Sequence, residues 1–120
     1  KEMDHLFVDE DNKIIYYAQL KANINLDSEK SKSTYKKCLE IFIQLKDEFP
    51  NYEIKWCLLA FRYLNNNEIP KVLKSKYNEI KDNLYGINDY INLLNINKSY
   101  IKEEYIKFLN LLADELINNS

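Results

Sequence analysis

Ile54-Lys55-Trp56-Cys57-Leu58-Leu59-Ala60-Phe61-Arg62-Tyr63 is the stretch on which the fold turns. It is almost continuously apolar, so periodicity alone does not separate a strand buried on both faces from a buried helical segment. Its ends are rich in β-branched and aromatic residues. Pro50-Asn51 before it and Asn65-Asn66-Asn67 after it are breaks. Its position decides the matter. A strand and then a helix lie upstream, and strand, helix, apolar run is a βαβ unit. The run then becomes a parallel central strand covered on both faces. The rival architecture, a helical adapter, requires 54–63 to be helical.

Upstream, Tyr35, Cys38, Leu39, Phe42, Leu45 and Phe49 fall on one stripe at helical spacing, with Lys36, Lys37, Glu40, Lys46 and Asp47 facing outward. Ser28, Ser31 and Ser33 offer N-caps for this helix. Further back, Ile14–Leu20 and His5–Val8 read as strands joined by the polar cluster Asp9–Lys13. So short a link makes an antiparallel hairpin. Downstream of Asn67 the chain reads as helices. Pro70 suits a first turn. A second element runs over about Tyr77–Leu84 and is interrupted at Gly86. Asn88 caps a short Asp89–Leu94 helix, and an amphipathic helix covers about Ser99–Ile117. The expected fold is α/β: residues 1–64 form a core of β-hairpin, helix and parallel strand, and residues 65–120 a C-terminal helical extension packed on the same domain.

The chain's 120 residues suffice for one core. With 46% hydrophobic and 30% charged residues it is too apolar for disorder, and one Gly with two Pro excludes collagen-like or linker-like sequence. No apolar run reaches the ~18 residues that a membrane span needs. Cys38 and Cys57 sit inside apolar runs without metal-ligand spacing, and read as reduced core residues of a cytoplasmic protein. The opening at Lys1, running almost at once into a strand, reads as a segment of a longer protein. A net charge of −2 gives no global basic signature. Its distribution is uneven: residues 1–20 carry two lysines against five acids, and residues 21–37 five lysines against two.

Side chains alternate along a strand, so Gln19 and Lys21 share a face. If Asp4 pairs opposite Gln19, the hairpin closes with a short loop and Asp4, Gln19 and Lys21 converge at one end. An acid, a carbonyl oxygen and an ammonium around one point make a metal-and-water site. Hard cations such as Mg²⁺ take oxygen ligands and keep several waters, and a nearby lysine orients a water that attacks phosphorus. Lys30 and Lys32 open the helix that follows this strand. Serine and lysine side chains with free helix N–H groups make an anion site there, with phosphate contacts from Lys30, Lys32, Asn23 and Asn25. His5 alternates away from Asp4 and reads as a packed histidine. Tyr16, Tyr17, Trp56 and Phe61 read as core aromatics, and Asp9-Glu10-Asp11 as a solvated turn.

Asp4, fourteen residues, then Gln19-Leu20-Lys21 resembles the signature of the PD-(D/E)xK nucleases, including its setting of hairpin, helix and buried strand. The stretch around Met3–Phe7 with Tyr16–Lys32 resembles the catalytic region of bacterial type II restriction endonucleases, and the likeness covers residues 2–64. Gln19 stands where the family usually has Asp or Glu, a variation known in some members, and Met3 stands where a Pro often precedes the Asp. The family usually has a helix and a strand before the Asp, which this chain does not include. The resemblance implies Mg²⁺-dependent hydrolysis of phosphodiesters in double-stranded DNA. Asp4, Gln19 and the Leu20 carbonyl would hold the metal, Lys21 would orient the water, and the protein would act as a homodimer. It is also compatible with a repair or junction nuclease of the same fold. A non-catalytic DNA-binding or protein-interaction module is the reading from a different class.

Overall fold

The computed structural model describes residues 4–24, 27–94 and 99–118. Strands β1 (Asp4–Asp9) and β2 (Ile14–Lys21) form the antiparallel hairpin, with Asp4 opposite Gln19 and Asp9 opposite Ile14. Its turn is built by Asp9. The carboxylate is buried and accepts from the Asn12 backbone N–H at 3.2 Å and the Asn12 side-chain amide at 3.0 Å. Lys13 then adopts the left-handed conformation (φ 56°) that lets the chain reverse. The expected solvated turn is thus solvated at Glu10 and Asp11 but not at Asp9. There the buried carboxylate supplies the hydrogen bonds that the backbone needs.

Helix α1 (Ser28–Glu48) follows, and then β3 (Glu53–Ala60), which pairs parallel to β2 from Ile14↔Glu53 to Lys21↔Ala60. The stretch that decides the fold is therefore a strand, and the helical adapter is excluded. It ends at Ala60, earlier than the apolar run does. β2 offers no partner past Lys21, and the Tyr63 N–H turns back to the Ala60 carbonyl at 3.0 Å. The helix cap is Asp27 and none of the three serines. Its extended backbone aims the carboxylate at the N–H groups of Glu29 (2.9 Å) and Lys30 (3.3 Å).

The sheet has four strands in the order β1-β2-β3-β4. β4 is only Leu84–Tyr85, parallel to β3. It lies in the segment expected to be wholly helical, after the short helix α2 (Lys71–Ser75) and a 3-10 stretch (Asn78–Asn83) broken at Ile80. Two residues carry no readable period. What makes them a strand is long-range, since the Asn83 side-chain amide donates to the Trp56 carbonyl at 2.8 Å and that of Asn66 to the Leu84 carbonyl at 2.6 Å. Gly86 marks a close crossing, because a Cβ there would lie 2.6 Å from the Asn65 nitrogen and the Leu64 carbonyl carbon. Helices α3 (Ile87–Leu94) and α4 (Ser99–Asn118) complete the chain.

Both sheet faces are covered, which is why Trp56–Phe61 is apolar without alternation. On one face Tyr17, Trp56, Leu58 and Ala60 pack with Tyr35 and Cys38 of α1 and with Ile69, Tyr77, Ile80 and Leu84. On the other, Tyr16, Ala18, Leu20, Cys57, Leu59 and Phe61 meet Tyr90 and Leu94 of α3 and Phe108 and Leu112 of α4. Each fully buried leucine or phenylalanine contributes about 1.5–3 kcal/mol. Leu58 and Leu59, adjacent in sequence and both fully buried, anchor opposite cores. The aromatics Tyr16, Tyr17, Trp56 and Phe61 lie in these cores as expected, and Cys38 and Cys57 are buried free thiols. No helix among the described residues is long and apolar enough to cross a membrane.

Candidate active site

The hairpin register places Asp4 opposite Gln19, and the parallel register places Gln19 beside Leu58 and Lys21 beside Ala60. Asp4, Gln19 and Lys21 therefore occupy the α1 side of the sheet at the carboxyl end of β2, the end at which open α/β sheets gather ligands. Asp4 is located by its backbone; its side chain lies outside the described residues. Lys21 is half-buried, and its carbonyl accepts from the Phe61 N–H at 3.3 Å. The Leu20 side chain is buried in the opposite core, so only its backbone carbonyl could serve a metal on this side.

Gln19 is fully buried, and its Oε1 accepts a hydrogen bond from the Tyr17 hydroxyl at 2.7 Å. Residues two apart on a strand share a face, so this bond is local to β2. Sequence reasoning took Tyr17 as a core aromatic only; its spacing to Gln19 was the available signal. The oxygen-only donor set of Asp4, Gln19 and the Leu20 carbonyl suits a hard divalent cation, with one carboxylate to supply charge. Among the described residues no group of three or more His, Cys, Asp or Glu side chains could hold a metal ion.

The start of α1 differs from expectation. The Asp27 carboxylate occupies the helix N–H groups, and Glu29 adds a second acid in the first turn. The helix N–H groups expected to be free are thereby capped, so an anion contact at this end falls to side chains alone. Lys30 and Lys32 remain exposed on the first turn and Asn23 is exposed just after β2, whereas Asn25 lies outside the described residues. Ser28 instead accepts from the Lys76 ammonium at 3.0 Å.

His5 is packed, as its alternation implied. It lies on the α3–α4 side of the sheet between the rings of Tyr90 and Phe108, with edge-on centroid distances of 5.6 and 5.5 Å. Its Nδ1 is 2.6 Å from the Tyr90 hydroxyl and its Nε2 is 3.1 Å from Glu104 Oε1. Burial lowers the His5 pKa and the Glu104 carboxylate opposes that shift, while burial pushes the Tyr90 hydroxyl well up. Tyr90 therefore stays protonated and donates to Nδ1, and Nε2–H donates to Glu104. This network joins β1, α3 and α4, and Lys107 approaches its outer oxygen at 3.6 Å. The signal for it was an acid on the apolar face of the last helix, one turn before Phe108.

Comparison of the chain with protein-family models, with curated proteins and with solved structures returned no match.

Proposed function

We propose that this chain carries the core of a Mg²⁺-dependent endonuclease of the PD-(D/E)xK type, a restriction-endonuclease-like fold acting on phosphodiesters of double-stranded DNA, in the manner of a type II restriction enzyme. The observation that carries the reading is the register: Asp4 stands opposite Gln19 with Lys21 two residues on, in a hairpin followed by a helix and a parallel strand. Asp4, Gln19 and the Leu20 carbonyl hold the cation, which supplies charge to the phosphate when bound. Lys21 orients the water that attacks phosphorus. Lys30, Lys32, Asn23 and Asn25 contact backbone phosphates, and a symmetric site is cut by two copies of the chain.

A second reading, a non-catalytic DNA-binding or protein-interaction module, is favoured by one observation. Gln19 is sealed from solvent with its oxygen engaged by Tyr17. The test is cleavage of duplex DNA with Mg²⁺ by the full-length protein. Asp4→Ala abolishes cleavage, since it removes the only charged ligand. Lys21→Ala keeps the fold and slows cleavage about 10²-fold or more, the scale of a positioned proton-transfer group. Undiminished cleavage by Lys21→Ala rejects the site. Binding of DNA without cleavage in Mg²⁺ or Mn²⁺ favours the module.

A further inference from the structure

At the β4 edge of the sheet, two adjoining clefts of about 350 and 170 Å³ share a wall of Asn66, Lys81, Asp82 and Leu84. The smaller adds Lys74, and the larger adds Tyr85, Asp89 and Asn92. Together they form a groove in which Lys74 lines the smaller cleft, Tyr85 and Asn92 line the larger, and Lys81 and Asp82 are common to both. Its size is that of a small-molecule site. It lies at the edge of the sheet opposite β1, apart from Asp4 and Gln19.

Of the groups lining this groove, Asp89 is used by the fold, accepting from the Asn66 and Gly86 backbone N–H groups at 2.8 and 2.7 Å. Among the described residues no hydrogen bond or ion pair engages the side chains of Lys74, Lys81, Asp82, Tyr85 or Asn92. Asn66, by contrast, spends its amide on the Leu84 carbonyl and so braces the wall. Lys81, Asp82 and Asn92 are exposed, and the Tyr85 ring is half-buried at the strand end. Two ammonium groups lining one cleft suit a phosphate. A half-buried tyrosine ring is a stacking platform for a base. A side-chain amide offers a donor and an acceptor to a base edge, and an ionised carboxylate accepts from sugar hydroxyls.

We propose that this groove binds a nucleoside monophosphate moiety. The phosphate lies on Lys74 and Lys81, the sugar at Asp82, and the base against Tyr85 with Asn92 at its edge. The moiety is either a free nucleotide or the 5′-terminal nucleotide of a strand, and the proposal stands independently of the nuclease reading. Calorimetric titration of the whole chain tests it with adenosine 5′-monophosphate, adenosine, inorganic phosphate and a 5′-phosphorylated dinucleotide. The monophosphate binds at roughly millimolar affinity or better, and at least about tenfold more tightly than adenosine or phosphate alone. Lys81→Ala weakens the monophosphate about tenfold and leaves adenosine unchanged, the loss expected of one charged hydrogen bond. Tyr85→Leu weakens both by about tenfold, Tyr85→Phe retains both, and Lys36→Ala on the exposed face of α1 changes neither. Tighter binding of the dinucleotide identifies a strand end as the ligand, and weaker binding a free nucleotide. Failure of both the monophosphate and the dinucleotide to bind overturns the proposal. So does equal affinity of Lys81→Ala and the parent for the monophosphate.

Discussion

The two faces of the sheet hold their buried polar groups in different ways. On the α1 face, Gln19 is sealed and accepts from Tyr17, two residues away on the same strand. On the α3–α4 face, His5 is sealed by partners 85 and 99 residues away. The first bond lies within one strand and ties no second element to it. The second ties β1 to two helices, and losing it strands the Tyr90 hydroxyl in the interior and leaves the half-buried Glu104 without its histidine. A bond within one strand orients a side chain, while bonds to distant partners belong to the fold.

The largest effect is expected on the distant side. His5→Ala leaves a cavity between Tyr90 and Phe108 and removes the partner of the buried Tyr90 hydroxyl and the half-buried Glu104, so stability falls by about 3 kcal/mol in denaturant unfolding. The sign of its pH dependence follows from burial. The folded-state pKa of His5 lies below its ordinary value of 6.5, so the folded protein binds fewer protons than the unfolded chain. His5 therefore contributes full stability above 6.5, and that stability is lost as pH falls from 6.5 through the folded pKa. His5→Ala removes this part of the acid limb. A mutant as stable as the parent breaks the comparison.

Gln19→Glu sharpens it from the other side. A carboxylate at a fully buried position costs about 1–3 kcal/mol without a counter-charge. If a cation binds here, Mg²⁺ restores the loss, because the substitution supplies the charge that Gln19 lacks. Thermal unfolding with and without Mg²⁺ reads this directly, and a loss that Mg²⁺ leaves untouched argues against the metal site.

The smallest effect concerns Tyr77, which is fully buried on the α1 face with no partner for its hydroxyl among the described residues. Tyr77→Phe removes an unsatisfied polar atom and keeps the ring, so stability holds or rises by about 1 kcal/mol. A clear loss would show that the hydroxyl has a partner in solution.

Local pattern determined the hairpin and the apolar stripe of α1, through period two in the strands, the helical period in α1 and a polar link too short for anything but a hairpin. The order of elements, and not the period of the run itself, made 54–63 a parallel strand, which the structure ends at Ala60. Two features turned on local hydrogen bonds that the pattern left open. Asp27 displaced three serines as the cap of α1 because its own extended backbone aims its carboxylate at the N–H groups of Glu29 and Lys30. Asp9 turned inward because the hairpin backbone required an acceptor three residues back. Tertiary structure alone decided two others. β4 exists because Asn66 and Asn83 hold two residues against β3, and two residues have no period to read. His5 met Tyr90 and Glu104 only when α3 and α4 closed over the sheet. The reason is that a hydrogen bond between distant segments depends on where folding brings them, and neither partner's neighbours in sequence record it.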